Sequence, residues 1–217
     1  MRPNLTRLNR AAILLLSLLL AGVAARISVS AGAAPALKAG VFDPPRLAPE
    51  FSLPGSDGAQ VTLARYRGKV VLMAFGYTSC AAVCPITLAT LAEARSILGE
   101  AADAVQVIYV TVDPERDDAD RMKDYLAAFD PNFVGATGAP DVLAVVRQKY
   151  GVTAIKHGTD NDYVMDHSSS IYLIDRAGKL RALMPYGHDA DDFVHDIKLL
   201  YSDADTAAGN STRGVSR

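Results

Sequence analysis

Two almost uninterrupted apolar segments constrain the fold of this chain more than any other feature of its sequence. Residues 69–76 (KVVLMAFG) and 105–112 (VQVIYVTV) lack the regular polar alternation of a half-exposed strand, so each predicts a strand buried on both faces. Between them, residues 85–98 carry apolar side chains at helical spacing, with alanines between. This order predicts two parallel strands joined by a helical crossover.

The remaining patterns extend this unit into a layered domain. Further helices are predicted at residues 117–129, 141–150 and 189–200, and further strands at 60–64, 169–175 and 180–184. The turn at residues 176–178 (Arg-Ala-Gly) makes the last two strands an antiparallel hairpin. We therefore predict an α/β sandwich of the thioredoxin type, with a central mixed sheet flanked by helices.

The first 35 residues differ from the rest of the chain. They contain four arginines, no acidic residue, and an apolar run over residues 11–25. A basic segment followed by such a run is typical of an export signal, with residues 23–25 or 31–33 as the cleavage site. The alternative is an uncleaved membrane anchor over residues 11–29. Either interpretation predicts a domain outside the cytoplasm, where stable disulfides are permitted.

The only two cysteines, Cys80 and Cys84, lie where the first apolar strand is followed by the helix. In α/β sheets, functional residues gather beyond the carboxyl ends of the strands, and the positive end of a helix dipole favours a thiolate. Thr78 or Ser79 is placed to cap the helix, and Pro85 is tolerated only in its first turn. The sequence therefore predicts a metal-binding or redox-active pair at the start of this helix.

The spacing of the two cysteines bears on the choice between metal binding and disulfide exchange. Three residues separate Cys80 from Cys84, whereas oxidoreductases of the thioredoxin group usually carry two. At positions i and i+4 of a helix, both sulfurs share one face, which suits two ligands to one ion and also permits a disulfide. A purely structural disulfide is disfavoured because closing so short a loop contributes little stability through chain entropy.

Two soft thiolates favour a soft ion, Cu(I) above all, with zinc as the alternative, and either ion needs a further donor. His167 is the best candidate because it closely precedes the predicted strand at residues 169–175. The other possible donors are interpreted differently. His188 and His195 are interpreted as surface residues. His157 lies in a polar loop, and Met165 suits a core position.

Three segments resemble the motifs of the Sco/SenC family, which are copper-binding, thioredoxin-fold assembly factors for cytochrome c oxidase. They are GYTSCAAVCPITLATL (76–91), TVDPERD (111–117) and MDHSSSIYLID (165–175). Residues 51–80 also resemble the N-terminal β-hairpin and first core strand of the family. The resemblance covers about residues 45–203. One departure is Ala81, where the family often has proline.

The resemblance implies that Cys80, Cys84 and His167 are copper ligands for Cu(I) or Cu(II), and that Asp113 supports the site without binding the ion. On sequence alone, the alternative for Asp113 is a cap or turn residue before Pro114. The resemblance also implies a membrane tether over residues 11–29, with the domain in the periplasm.

The implied domain organisation has four parts. Residues 1–35 are a signal or membrane anchor, residues 36–44 a tether, residues 45–203 the copper-binding domain, and residues 204–217 a flexible tail. Acidic residues number 24 and basic residues 22, and the domain has no basic run, which disfavours nucleic-acid binding.

The resemblance implies a metallochaperone rather than an enzyme. It would pass copper by ligand exchange to the copper-bearing subunit of the oxidase, with other periplasmic copper chaperones or thiol reductases as further partners. Oxidation of Cys80 and Cys84 to a disulfide would abolish binding. The alternative function is a thiol-disulfide oxidoreductase that reduces the copper-site cysteines of that subunit. A thiol peroxidase is disfavoured because the threonine expected three residues before the cysteine is replaced by Tyr77.

Overall fold

A six-stranded mixed sheet forms the centre of the fold. The computed structural model describes residues 36–159 and 162–211. The strands are β1 (Gly40–Leu47), β2 (Leu53–Pro54), β3 (Gln60–Val61), β4 (Val70–Gly76), β5 (Val105–Thr111), β6 (Val134–Ala136), β7 (Ala154–Thr159), β8 (Asp162–His167), β9 (Ile171–Ile174) and β10 (Lys179–Met184). The α-helices are α1 (Val83–Leu98), α2 (Ala119–Ala127), α3 (Pro140–Tyr150) and α4 (Ala190–Ser211). The order of strands in the large sheet is β1-β10-β9-β4-β5-β6.

The two central strands are the parallel pair that the sequence predicts. β4 and β5 pair along their whole length, from Val70 opposite Val105 to Gly76 opposite Thr111. Every residue of both strands is buried, as their apolar composition predicts. β6 pairs in parallel with β5, whereas β9 pairs antiparallel with β4. The predicted α/β sandwich with a mixed sheet is therefore confirmed.

Helices cover both faces of this sheet. Successive strand residues point to opposite faces, so Gly76 and Phe75 of β4 face in opposite directions. The sulfur of Cys84, in α1, lies against Gly76, whereas Tyr150 of α3 packs against Phe75 with the ring centroids 5.9 Å apart. α2 covers Gly135 of β6 on the same side as α1, as expected for two consecutive right-handed crossovers.

The first strand begins further upstream than the sequence predicts. β1 pairs antiparallel with β10, so residues 40–44, which we expected to be part of a tether, belong to the sheet. Proline cannot donate to a strand ladder, but an edge strand with an irregular register tolerates it, and the register of β1 shifts between Val41 and Arg46. The buried carboxylate of Asp196 in α4 fixes the segment before β1, because it accepts hydrogen bonds from the amides of Lys38 (2.7 Å) and Ala39 (2.9 Å).

The N-terminal hairpin is confirmed, in a shorter form than predicted. β2 and β3 pair antiparallel, with Leu53 opposite Val61. The strand predicted at residues 60–64 ends at Val61 because the Thr62 hydroxyl accepts a hydrogen bond from the Arg65 amide, 3.2 Å away. This contact caps a 3-10 helix over Leu63–Tyr66.

Other elements differ from the predictions at the exposed parts of the chain. β6 and the antiparallel β7–β8 pair were not predicted, because β6 has only three residues and most residues of β7 are exposed. α4 continues to Ser211, through the first part of the predicted tail. The predicted signal or membrane anchor (residues 1–35) and the last residues (212–217) lie outside the described residues. Among the helices that the structure describes, none combines the length and apolar character needed to cross a bilayer.

The absence of a side chain at Gly135 lets α2 approach β6 closely. A Cβ atom at this position would lie 2.9 Å from Met122 Cβ and 3.1 Å from Leu126 Cδ1. We expect Gly135→Ala to lower the free energy of unfolding by about 1–3 kcal/mol, because overpacking forces the helix away from the sheet. Urea denaturation measures this change.

Gly40→Ala is the matched control, since its Cβ atom would meet only the Leu183 carbonyl oxygen at 3.6 Å, an ordinary contact. This control is expected to lose no stability. Equal unfolding free energies for the Gly135→Ala variant and the wild type would show that the close approach of α2 is dispensable.

Candidate metal centre

The two cysteines lie at the carboxyl end of β4, on either side of the start of α1. Cys84 is in the first turn of the helix and is 3% exposed, whereas Cys80 lies in the preceding loop and is partly exposed. Both are free thiols. Pro85 occupies the first turn, as predicted. Because Cys80 precedes the helix, the two sulfurs are brought together by the loop rather than by helical i, i+4 spacing.

The predicted capping role of Thr78 or Ser79 is wrong. Ala82 is the N-cap residue of α1, and its side chain offers no capping hydrogen bond. Thr78 instead contacts Asp117, which accepts hydrogen bonds from the Thr78 amide (3.0 Å) and hydroxyl (2.6 Å). Arg121 donates to the Thr78 hydroxyl (2.6 Å) and to the Ser79 hydroxyl (3.1 Å). These polar residues hold the loop that carries Cys80 against α2.

Asp117 is fully buried and was not singled out by the sequence. Besides Thr78, it accepts a hydrogen bond from the Thr111 hydroxyl at 2.7 Å, and its own carbonyl accepts one from Thr137. Its neighbour Asp118 is the N-cap of α2. Two consecutive acidic residues before a helix suggest capping alone, so the sequence does not indicate the different role of Asp117. The signal that could have identified Asp117 is its position beyond the end of a buried strand.

His167, at the end of β8, completes the group. Its Nε2 atom lies 3.5 Å from the Cys84 sulfur, and its Nδ1 atom lies 2.9 Å from the Ser168 carbonyl oxygen. A carbonyl oxygen only accepts, so Nδ1 carries the proton and the lone pair of Nε2 faces the sulfur. Ser168 is itself held by Thr153, whose amide donates to the Ser168 hydroxyl oxygen at 3.1 Å. The backbone of Ser168 therefore orients the ring for a metal ligand.

Cys80, Cys84 and His167 form a set of three metal donors. Their ligand atoms all lie within 4.8 Å of one another. Metal–sulfur distances near 2.3 Å would place trigonal donors about 4 Å apart, so a small closing movement suffices to bind one ion. Within the part of the chain that the structure describes, no other group of three His, Cys, Asp or Glu residues has this arrangement.

The other three histidines lie outside this set, each beside a carboxylate. His157 is 3.0 Å from Asp166, His188 is 2.7 Å from Asp192, and His195 is 2.9 Å from Asp196. Met165 lies closer to the site. It packs partly buried against the core and lines an open cleft of about 270 Å³ with Cys80 and His167.

Asp113 is buried and bonded to groups other than the three donors. It accepts hydrogen bonds from the Tyr163 hydroxyl (2.6 Å) and the Arg116 guanidinium (2.5 Å). Burial, and next the bond to Asp113, raise the pKa of Tyr163 to about 12, so this hydroxyl remains a donor at neutral pH. Any support that Asp113 gives to the metal centre therefore passes through its partners.

Arg116 and Tyr77 connect Asp113 with His167. The Arg116 guanidinium carbon lies 3.6 Å from the Tyr163 ring centroid and 5.7 Å from that of Tyr77. Tyr77 in turn meets the His167 ring edge-on, with the centroids 5.9 Å apart. Packed aromatic contacts of this kind limit the tilt of the imidazole ring. Asp113 therefore reaches His167 through Arg116 and Tyr77, without touching it directly.

The sequence and fold comparisons identify similar proteins. The sequence model of the SCO1/SenC family matches residues 41–202. A SCO2-like protein of Rickettsia conorii is 36% identical over 133 residues, which are 60% of this chain and 65% of that protein. The chain therefore spans just under two thirds of the length of that relative.

Two solved structures share the fold. Bradyrhizobium japonicum ScoI with copper bound is 39% identical, with a TM-score of 0.66 over 71% of this chain and 99% of that chain. BsSco, described as a member of the Sco family of cytochrome c oxidase assembly proteins with a disulfide switch, is 26% identical. Its TM-score is 0.60 over 73% of this chain and 95% of that chain. These similarities confirm the predicted thioredoxin-like class.

The contacts of Asp117 predict a test of how the Cys80 loop is positioned. Asp117→Asn keeps the volume of the side chain but replaces the charged carboxylate, which accepts three hydrogen bonds from Thr78 and Thr111. We expect a loss of about 1.5–3 kcal/mol in unfolding free energy, measured by urea denaturation. Faster hydrogen exchange at the Thr78 amide should accompany it.

Asp118→Asn is the control for this charge change, because asparagine is an equally good N-cap for α2. This control should leave both measurements near the wild-type values. Unaltered Thr78 exchange in the Asp117→Asn variant would contradict the positioning role of Asp117.

Proposed function

Since this chain belongs to the SCO1/SenC family, we propose that it is a copper chaperone for the assembly of cytochrome c oxidase. In this proposal Cys80, Cys84 and His167 hold copper as cargo, and the protein passes the ion on without chemical turnover. The observation that carries the proposal is the convergence of two thiols and one oriented imidazole within 4.8 Å, from three separate positions in the chain.

The chemistry of the donors supports copper over harder ions. Thiolates are soft ligands that favour Cu(I), whereas calcium and magnesium need several oxygen ligands. The buried carboxylates of Asp113 and Asp117 are already bonded to arginine, tyrosine and threonine side chains. The carboxylate of Asp166, which lines the cleft, lies 3.0 Å from His157. The similar ScoI of Bradyrhizobium japonicum was solved with copper bound.

Transfer by ligand exchange begins at Cys80 in this proposal. Cys80 lines the open cleft, whereas Cys84 is almost fully buried. An incoming thiolate can therefore replace Cys80 first, while Cys84 and His167 still hold the ion. A stepwise exchange of this kind never exposes a bare ion to water.

The redox state of the same cysteines gates the site in this proposal. A disulfide between Cys80 and Cys84 removes both thiolates, so the oxidised protein has only His167 to offer. BsSco, which shares the fold, is described as having a disulfide switch. A transient bond of this kind is consistent with the partial exposure of Cys80.

The recipient and the location are further parts of the proposal. We propose the copper-bearing subunit of the oxidase as recipient, with other periplasmic copper chaperones or thiol reductases as additional partners. We also propose that the domain works in the periplasm, tethered to the inner membrane by residues 11–29 or released by cleavage. The basic and apolar composition of residues 1–35 supports export.

A thiol-disulfide oxidoreductase is the second candidate, favoured by the accessible position of Cys80 next to a buried second thiol. It would reduce the copper-site cysteines of the oxidase subunit before metal loading. This reaction requires both cysteines but gives no role to His167, which distinguishes the two candidates.

The ligand assignment predicts the outcome of copper titration of the reduced full chain under anaerobic conditions. We expect wild type to bind one Cu(I). Cys80→Ala, Cys84→Ala and His167→Ala should each weaken binding more than about 100-fold, which exceeds the usual effect of residues that only support ligands. Competition with a chromophoric Cu(I) chelator measures the affinity.

His157→Ala is the matched histidine control, since His157 is exposed and pairs with Asp166. It should bind copper like the wild type. Unchanged affinity in the His167→Ala variant would show that His167 is not a ligand.

Redox gating predicts that oxidation abolishes copper binding reversibly. The oxidised wild type should take up no Cu(I), and reduction should restore one ion per chain. Copper binding by the oxidised wild type would contradict redox gating. If the reduced wild type binds no copper, while it and His167→Ala reduce an oxidised two-cysteine peptide equally well, the oxidoreductase candidate displaces the chaperone.

A further inference from the structure

Tyr109 has a buried hydroxyl group next to the metal centre that the proposed function does not use. It lies near the middle of β5, opposite Ala74 of β4 and Gly135 of β6, and is 1% exposed. Its side chain points to the face of the sheet covered by α1. In the sequence it is one more apolar strand residue, so only the structure relates it to the cysteines.

Gly76 allows the Tyr109 hydroxyl and the Cys84 sulfur to meet. A Cβ atom at Gly76 would collide with the hydroxyl and would lie 2.9 Å from the sulfur. Both atoms therefore lie over the same face of Gly76. The absence of a side chain at the end of β4 leaves the space in which they interact.

A hydroxyl group buried this deeply needs an acceptor, because a buried donor without a partner destabilises the fold. The Tyr77 carbonyl oxygen is 3.4 Å away, longer than the roughly 2.5–3.0 Å of a good O–H···O bond. The Cys84 sulfur lies over the same face of Gly76 and is the other acceptor close to this hydroxyl. Sulfur accepts over longer distances than oxygen and carries negative charge when it binds a metal.

Little space is left for water at this position. The cavity lined by Cys84, Tyr109 and His167 holds only about 10 Å³, at the lower limit for one molecule. The hydroxyl of a tyrosine is protonated at neutral pH. The hydroxyl therefore keeps its proton and can act as a donor.

We propose that Tyr109 donates a hydrogen bond to the Cys84 sulfur and thereby biases the site toward Cu(I) and the reduced cysteine pair. This inference rests on the proposed copper site and assigns Tyr109 a positioning and tuning role. A hydrogen bond to a metal-bound thiolate withdraws electron density from sulfur, which disfavours the more electron-demanding Cu(II). A disulfide sulfur accepts such a bond poorly, so the same contact favours the dithiol.

The test is Tyr109→Phe in the full chain, which removes one oxygen atom and keeps the ring. In the Cu(II)-loaded protein, the sulfur-to-copper charge-transfer band should move to longer wavelength, because the sulfur lone pairs rise in energy. The one-electron reduction of Cu(II) to Cu(I) is measured at an electrode. Its equilibrium should shift about tenfold toward Cu(II), which lowers the reduction potential by about 59 mV.

Tyr172→Phe is the matched control. Tyr172 is also a buried strand tyrosine, but its hydroxyl donates to the Tyr150 carbonyl oxygen at 2.7 Å, on the opposite face of the sheet. It should lose stability without any change in the band or the copper equilibrium. Wild-type values of both in the Tyr109→Phe variant would overturn the inference.

A metal-free measurement separates this inference from the proposed function. In glutathione buffers, two glutathione thiols reduce the Cys80–Cys84 disulfide, yielding two protein thiols and one glutathione disulfide. Tyr109→Phe should shift this equilibrium about tenfold toward the disulfide, or about 30 mV. If the wild type binds no copper, the proposed function fails, and the glutathione equilibrium alone decides the role of Tyr109: an unshifted equilibrium rejects it.

Discussion

The parallel pairing of β4 with β5 is the contact on which the metal centre depends. In this register Gly76 lies opposite Thr111, and the Val112 amide donates to the Gly76 carbonyl oxygen at 2.8 Å. The two loops that leave these strands therefore start side by side at one edge of the sheet. One carries Cys80, and the other carries Asp117, which holds the first loop in place. A slip of one residue would turn the side chains of one strand to the other face and separate these partners.

Buried carboxylates shape the centre without joining it. Two lie beyond the end of β5, where an uncommitted carboxylate would offer an ion hard oxygen ligands. Hydrogen bonds from Tyr163 and Arg116 to Asp113, and from Thr78 and Thr111 to Asp117, occupy them instead. Burying a charge without such partners would cost several kcal/mol, so the same bonds that stabilise the loops also leave the site to soft donors.

The sequence predicts the parts of the molecule whose character is local. The apolar runs of β4 and β5 and the periodicity of α1 follow from composition alone, and the spacing of Cys80 and Cys84 suggests a shared ion. The sequence does not predict β1. This strand contains prolines, which only an edge strand tolerates, and its edge position depends on its pairing with β10. The exposed β7–β8 pair lacks an apolar signal, although it positions His167.

Supporting residues are the hardest part of the site to predict. Asp117 resembles a helix cap and Tyr109 resembles a core residue, and both identities depend on which atoms the fold places beside them. Motif resemblance identified Asp113, but its contacts with Tyr163 and Arg116 show that it reaches the ligands only through other side chains. Sequence motifs can therefore name a residue whose physical role becomes clear only from its neighbours.

The two sulfurs of the site are chemically unequal, and this inequality follows from the fold. Cys84 begins a helix that packs on the sheet, so it is buried against Gly76 and within reach of His167. Cys80 belongs to a loop that polar contacts with Asp117 and Arg121 hold in place, and Cys80 itself lines the open cleft. In the proposed copper transfer, Cys84, packed against the sheet, holds the ion while Cys80, on the loop, releases it.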